Sequence, residues 1–208
     1  MRKRALLLLT MSVAILMPGV SRGQRLNAPR IQPVEPSQWT DEDRETLGPR
    51  GRGGDARNTF KICLRNQDLC RSWLPLTTYV ESNKSTLPPR DRELLILRTA
   101  WLCKNDVTWG PHETNAKRLG LTDEDVLRIT KGPDATGWNV FDQALLRAAD
   151  ELHGDQFIQD ATWKTLASRY NDKQLMDTIF AVGQYTLIGM YLNSTGAQLG
   201  PGDKKLPR

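Results

Sequence analysis

The stretch from Arg92 to Glu113, RELLILRTAWLCKNDVTWGPHE, holds a carboxylate at Glu93, one of three cysteines at Cys103 and one of two histidines at His112. A carboxylate and an imidazole brought together can move a proton, because histidine titrates near neutrality and a carboxylate on one ring nitrogen fixes the tautomer. A plainer role is open to each. Glu93 falls in a first helical turn after Pro88-Pro89, where an acid stabilises the helix by about 0.3–1 kcal/mol through the dipole alone. Pro111 reads as a helix opener, which puts His112 in a first turn where the dipole opposes a positive ring. His153, beside Gly154, reads as a cationic group at a helix C-terminus, and Cys103 as a buried apolar residue.

The elements that must hold these residues read as helices. Period-2 alternation is absent, so no strands are expected. Asn58 caps a helix interrupted at Pro75, and Pro88-Pro89 precede RDRELLILRTAWLC. Gly120 closes the helix opened at Pro111, and Thr122 with Asp125 forms a capping box. Further helices begin at Asn139, closing at Gly154, and at Asp160 and Asp172. Six or seven helices with short connections predict an all-α bundle. Leu94 to Cys103 and Ile179 to Leu192 are apolar nearly all round, which calls for a central position or burial by a second copy and predicts a homo-oligomer.

The first 23 residues read as a secretory signal: Arg2, Lys3 and Arg4, then an uncharged Leu-rich run from Ala5 to Met17, then Pro18-Gly19 and small residues near a cleavage point. That run is shorter than the roughly 20 residues that span a bilayer. The expected location is therefore periplasmic or extracellular, with membrane contact only through the export signal. The formal charge of +5 drops to about +1 without Arg22 and these three basic groups. No basic surface is left that argues for nucleic acid. Residues 24–57, rich in Pro and Gly, read as an arm or partly ordered wrap with one helical turn near Thr40 to Leu47. Residues 58–199 form the helical domain and 200–208 a tail. If Cys63 and Cys70 share a helix, about 10 Å of rise keeps them from pairing, and either could pair with Cys103. Two distant histidines without ligand spacing argue against a metal site, and no glycine-rich phosphate loop or Gly-x-Ser-x-Gly elbow occurs, so no cofactor is expected.

From about Asn58 to Leu199 the chain resembles the carboxymuconolactone decarboxylase family, which includes the alkylhydroperoxidase (AhpD-like) proteins. The stretches LPPRDRELLILRTAWLC, WGPHETNAKRLGLTDEDV, ALLRAADELH and TWKTLASRYNDKQLMDTIFAVGQY carry the likeness. It implies an AhpD-like bundle that self-associates as a trimer or hexamer. The peroxidase branch has Glu, eleven residues, Cys-x-x-Cys, three residues and His. That pattern sets Glu93 and His112 in place and puts Asn105 and Thr108 where the sulfurs would be. A single nearby thiol, Cys103, cannot form the intramolecular disulfide that a dithiol peroxidase needs. The surviving pair is the one that the decarboxylase branch would use. The resemblance thus implies loss of CO₂ from a small acidic lactone, with His112 returning a proton and Glu93 orienting it. Arg90, Arg92 or Arg98 would bind the substrate carboxylate. Asn105 or Thr108 would donate to an oxyanion, and Trp109 would form a pocket wall. Two other readings compete: a thiol peroxidase recruiting Cys103 with Cys63 or Cys70, and a non-catalytic exported scaffold whose site would be occluded and lack a cavity.

Overall fold

The computed structural model describes residues 25–54 and 56–207. The expected export signal at residues 1–23 lies outside them. The described residues form an all-helical protein with no strand, as the patterning predicts. Nine α-helices run in the order α1 (Asp41–Leu47), α2 (Asn58–Cys63), α3 (Gln67–Glu81), α4 (Pro89–Leu102), α5 (Asp106–Arg118), α6 (Asp123–Lys131), α7 (Val140–Asp155), α8 (Asp160–Ala167) and α9 (Asp172–Thr195). The expectation of six or seven left the Thr40–Leu47 turn, here α1, out of the count and read α2 and α3 as one helix starting at Asn58.

α4 is the axle. Pro89 fits its first position, where no N–H is needed, and every residue from Asp91 to Ala100 is buried. α5, α6, α7 and α9 pack around it. α9 behaves differently: Leu175, Ala181, Val182, Tyr185, Ile188 and Leu192 face the core, whereas Met176, Phe180, Leu187 and Met190 are exposed. The outer set steps by four, seven and three residues and the inner set runs beside it along the helix, so α9 carries two apolar stripes rather than one.

Helix starts explain several departures from expectation. Thr122 makes the expected capping box with Asp125. α2 is preceded by Arg57 rather than capped by Asn58, whose amide N–H instead donates to the Gln198 carbonyl at 2.9 Å. Asp160 and Asp172 are first helical residues, one position past Gln159 and Asn171. α3 runs unbroken through Pro75. Asn105 caps α5 by accepting the Thr108 amide at 3.1 Å, so the helix begins well before Pro111, which sits inside it. His112 is therefore in the second turn, beyond the first-turn reach of the dipole. α7 continues past Gly154 to Asp155 and stops at left-handed Gln156, φ 56°.

Two segments outside the bundle are tied down. In the N-terminal arm, Trp39 and Leu47 bury against Cys63, Leu64, Cys70 and Leu74. Arg30 donates to the Thr195 carbonyl at the end of α9. At the other end the tail crosses α5: the Leu206 amide donates to Asp106 and the Lys204 ammonium pairs with Glu113 at 2.7 Å. A Cβ on Gly110 would come within 2.7 Å of the Lys204 carbonyl oxygen, so only glycine lets the tail lie this close.

The cysteine expectation is corrected. Cys63 and Cys70 are disulfide-bonded, with Cα atoms 5.3 Å apart, and Cys103 is free and buried. The two do not share a helix: α2 ends at Cys63 and the chain turns through Leu64–Asn66 before α3 begins. The turn folds the sequence back where a continuous helix would have held the sulfurs apart.

Candidate functional site

The pair predicted from sequence meets. His112 Nδ1 lies 2.8 Å from Glu93 Oε2, α5 supplying the ring and α4 the carboxylate. A carboxylate without a proton only accepts, so Nδ1 carries the hydrogen and Nε2 is turned the other way. Nε2 lies 3.0 Å from the Tyr185 hydroxyl, and that oxygen is also 3.1 Å from Glu81 Oε1. The Tyr185 ring stands edge-on to the imidazole at 5.0 Å between centroids. Both partners of His112 are thus fixed by helices packed in the core, and the ring is only 12% exposed. Burial pushes the Tyr185 phenol well above 10, the Glu81 and Glu93 charges add to this, and Arg92 opposes it.

These groups face a cavity of about 300 Å³. α3 contributes Trp73, Thr77 and Glu81, which recur every four residues along one face. α9 contributes Tyr185, Ile188 and Leu192, spaced by three and four. Phe60 adds an apolar wall, while Arg57 and Arg92 bring positive charge. Arg92 Nη1 donates to the Ser82 carbonyl at 3.1 Å, yet its buried Nε has no partner, and neither has the buried indole N–H of Trp73. A buried donor left unpaired costs about 1–3 kcal/mol. Two such donors on one cavity wall are suited to an acceptor-bearing ligand.

The remaining sequence candidates divide sharply. Thr108, one turn before His112, lines the cavity, as does Arg92. Arg90 does not: it makes a two-point pair with Asp142 at 2.9 and 2.8 Å. Arg98 is also elsewhere, bound to Asp150 at 2.5 and 2.9 Å and to the Ile129 and Thr130 carbonyls. Five residues separate it from Glu93, a rotation of about 140° around the helix, which turns it toward α6 and α7. Asn105 is used as a cap and lies off this cavity, its amide nitrogen buried and unpaired. Trp109 is fully buried, packs on Trp101 at 6.2 Å and donates to Glu113 at 2.9 Å, so it is a core residue and not a pocket wall.

Two further groups lie off this cavity, His153 Nδ1 and Cys103 Sγ, 3.8 Å apart. Burial first, and the nearby Arg98 charge, pull the His153 ring below 6.5 against the pull of Asp150. A cationic helix cap is thus not what its surroundings favour. Burial pushes the Cys103 thiol up to about 11, which disfavours the reactive thiolate. Sequence reasoning missed Tyr185, Glu81, Arg57 and Trp73. The available signal was helical spacing: once α3 is allowed to pass through Pro75, positions 73, 77 and 81 form one stripe.

Comparison with known proteins agrees with this architecture. The model of the Carboxymuconolactone decarboxylase family matches residues 67–151, which include Glu93 and His112. No curated protein sequence matches. An alkylhydroperoxidase AhpD core protein from Ralstonia eutropha superposes with TM-score 0.68 at 16% identity, covering 82% of this chain and 92% of that one. A peroxidase-related protein from Silicibacter sp. gives 0.67 at 15% identity, covering 88% and 95%. The debrominase Bmp8, in complex with 2,3,4-tribromopyrrole, gives 0.64 at 14% identity, covering 82% and 91%. Residues 67–151 thus resemble the carboxymuconolactone decarboxylase family, and the chain is built on the AhpD-like helical fold.

Proposed function

We propose that this protein is an exported, self-associating enzyme that performs cofactor-free acid/base chemistry, decarboxylation or proton transfer, on a small acidic lactone or cyclic acid. The observation that carries the reading is the 2.8 Å contact between Glu93 and His112 on the wall of a cavity that also holds Arg57 and Arg92. A guanidinium presents paired donors to a carboxylate, and Phe60, Ile96 and Ile188 offer an apolar surface to a ring. Loss of CO₂ leaves an electron pair on the ring carbon, which a positioned acid must protonate; the imidazole set by Glu93 can hold that proton.

The scaffold reading expects an occluded site, and a cavity of about 300 Å³ weighs against it. A thiol peroxidase is weakened by the Cys63–Cys70 bond and by a buried Cys103 that burial keeps protonated. The disulfide supports an oxidising compartment, in keeping with export. Exposed Met176, Phe180, Leu187 and Met190 along α9 support self-association. No helix among the described residues is long and apolar enough to cross a membrane.

The test is turnover of a panel of lactone acids and cyclic acids by the wild type and by His112→Ala. The wild type should convert at least one, with the variant slower by about 10²–10⁴-fold, the range that a positioned proton donor contributes. Equal turnover by both would remove His112 from the chemistry.

A further inference from the structure

If His112 and Glu93 are the working pair, the ring must exchange its proton with solvent after each turnover, although its neighbours nearly enclose it. The ring is only 12% exposed and both its nitrogens are engaged, Nδ1 by Glu93 and Nε2 by Tyr185. Beyond Tyr185 the contacts continue outward. The hydroxyl reaches Glu81 Oε1, and the Glu81 side chain, 40% exposed, stands at the cavity rim with Arg50 3.7 Å from its second oxygen.

We propose that Tyr185 and Glu81 form a proton port, through which His112 Nε2 exchanges its proton with bulk water. Tyr185 has a single hydroxyl proton and two possible acceptors. When the ring is neutral, Nε2 has a lone pair and the phenol donates to it. When the ring carries two protons, Nε2–H donates to the phenolic oxygen and the phenol donates to Glu81. The 3.0 Å contact serves both arrangements; the 3.1 Å contact is a hydrogen bond when the phenol donates to Glu81 or when Glu81 holds the proton and donates back.

The outward step balances. The Nε2–H bond breaks as that proton joins the Tyr185 oxygen, the original O–H bond breaks, and its proton joins Glu81 Oε1. Glu81 then releases a proton to water, and the reverse sequence recharges the ring. The phenol is neutral before and after, so no phenolate is formed. That suits a hydroxyl whose ionisation is disfavoured by burial and by the flanking Glu81 and Glu93 charges, with Arg92 the opposing group. Glu81 is the carboxylate that meets both the hydroxyl and solvent. Tyr185 and Glu81 act through His112 and are positioning residues.

The experiment needs no substrate, so its outcome is separate from the identity of the reaction. The chain has two histidines. Labelling histidine with ¹⁵N therefore gives one ring at the site and one, His153, as an internal control. Exchange of the His112 Nε2 proton with water is measured by NMR in wild type, Tyr185→Phe and Glu81→Gln. Tyr185→Phe keeps the ring that packs on His112, and Glu81→Gln keeps a hydrogen-bonding side chain that does not take up a proton.

Both variants should slow exchange at His112 on the order of a hundredfold, the lower end of what a positioned proton-transfer group contributes. His153 should be unchanged. Exchange that is unaltered or faster in either variant overturns the port, because water would then be reaching Nε2 directly. Should Tyr185→Phe fail to fold, Glu81→Gln decides alone, since its substitution is at the surface.

Discussion

Arg98 offers a direct test of whether the helical geometry of α4, rather than the sequence neighbourhood of Glu93, assigns its residues. Read from sequence it is a substrate-binding guanidinium; in the structure it is a bolt between α4, α6 and α7. Its guanidinium meets Asp150 at 2.5 and 2.9 Å and the Ile129 and Thr130 carbonyls at 2.9 and 3.2 Å. It also lies against Gly132, the α6 cap at φ 93°, where a Cβ would come within 2.9 Å of Nη2. Arg98→Met keeps most of the buried stem and deletes four hydrogen bonds.

Breaking a buried ion pair from one side costs about 3–5 kcal/mol, because the other charge is left behind. Here the Arg98 side chain is 9% exposed and that of Asp150 29%, so water can partly hydrate the abandoned carboxylate. The lower end, about 3 kcal/mol, is therefore expected. For a chain of this length that is a fall of about 6–12 °C in melting temperature. Urea unfolding of the wild type, Arg98→Met, Asp150→Asn and the double variant measures the loss and the coupling. The double variant should be less unstable than the sum of the singles, and ligand binding in the Glu93–His112 cavity should be unchanged in folded Arg98→Met. A stability loss under about 1 kcal/mol together with loss of cavity binding would refute the reasoning, since surface changes without a specific mechanism stay within about half that.

Two other outcomes follow. Replacing Cys63 and Cys70 with Ser should lower stability by about 2–3 kcal/mol, the loop-closure entropy of so short a loop, measured by urea unfolding without reductant. At Glu113, burial pushes the carboxyl up, but hydrogen bonds from Lys117, Lys204 and Trp109 outweigh it and hold it below its ordinary 4.5. Its folded value lies under its unfolded one, so its contribution is complete above about pH 4.5 and is lost as pH falls through the folded value. Stability measured against pH should decline over that window, and Lys204→Met should reduce the decline; an identical profile in the variant would detach the tail from the effect.

What was legible in the sequence was whatever a local rule determines. Capping boxes, proline starts and the uninterrupted apolar run of α4 gave the helices, the all-α class and a central α4. Glu93 and His112 were visible because the family spacing ties them together. What was not legible needed three dimensions or a competing local signal. Pro111 reads as a helix start, yet Asn105 caps the same helix six residues earlier and wins because its side chain has an amide to accept. Pro75 reads as an interruption, and that reading hid the 73, 77, 81 stripe that builds one cavity wall. Arg90 and Arg98 have the right chemistry for a carboxylate ligand, but Asp142 and Asp150, both on α7, reach them first. The partners of Arg90 and Arg98 are about fifty residues away, and no window of sequence shows that.

The two positions where the peroxidase pattern would place sulfur have gone separate ways, and their geometry bears on what the site can do. Asn105 has become structural: its side-chain oxygen holds the first turn of α5, and replacing such a cap with alanine costs about 0.5–2 kcal/mol. Thr108 remains on the cavity wall and accepts no role that its hydroxyl could not fill as a donor to a ligand oxygen. A thiol beside His112 could pass its proton to Nε2 and leave a thiolate. In this chain threonine stands there, and Nε2 meets the Tyr185 hydroxyl, which also meets Glu81. Under the proposed port the same carboxylate and imidazole would pass protons between the ring and solvent, with the second partner of the ring, on α9, setting the route.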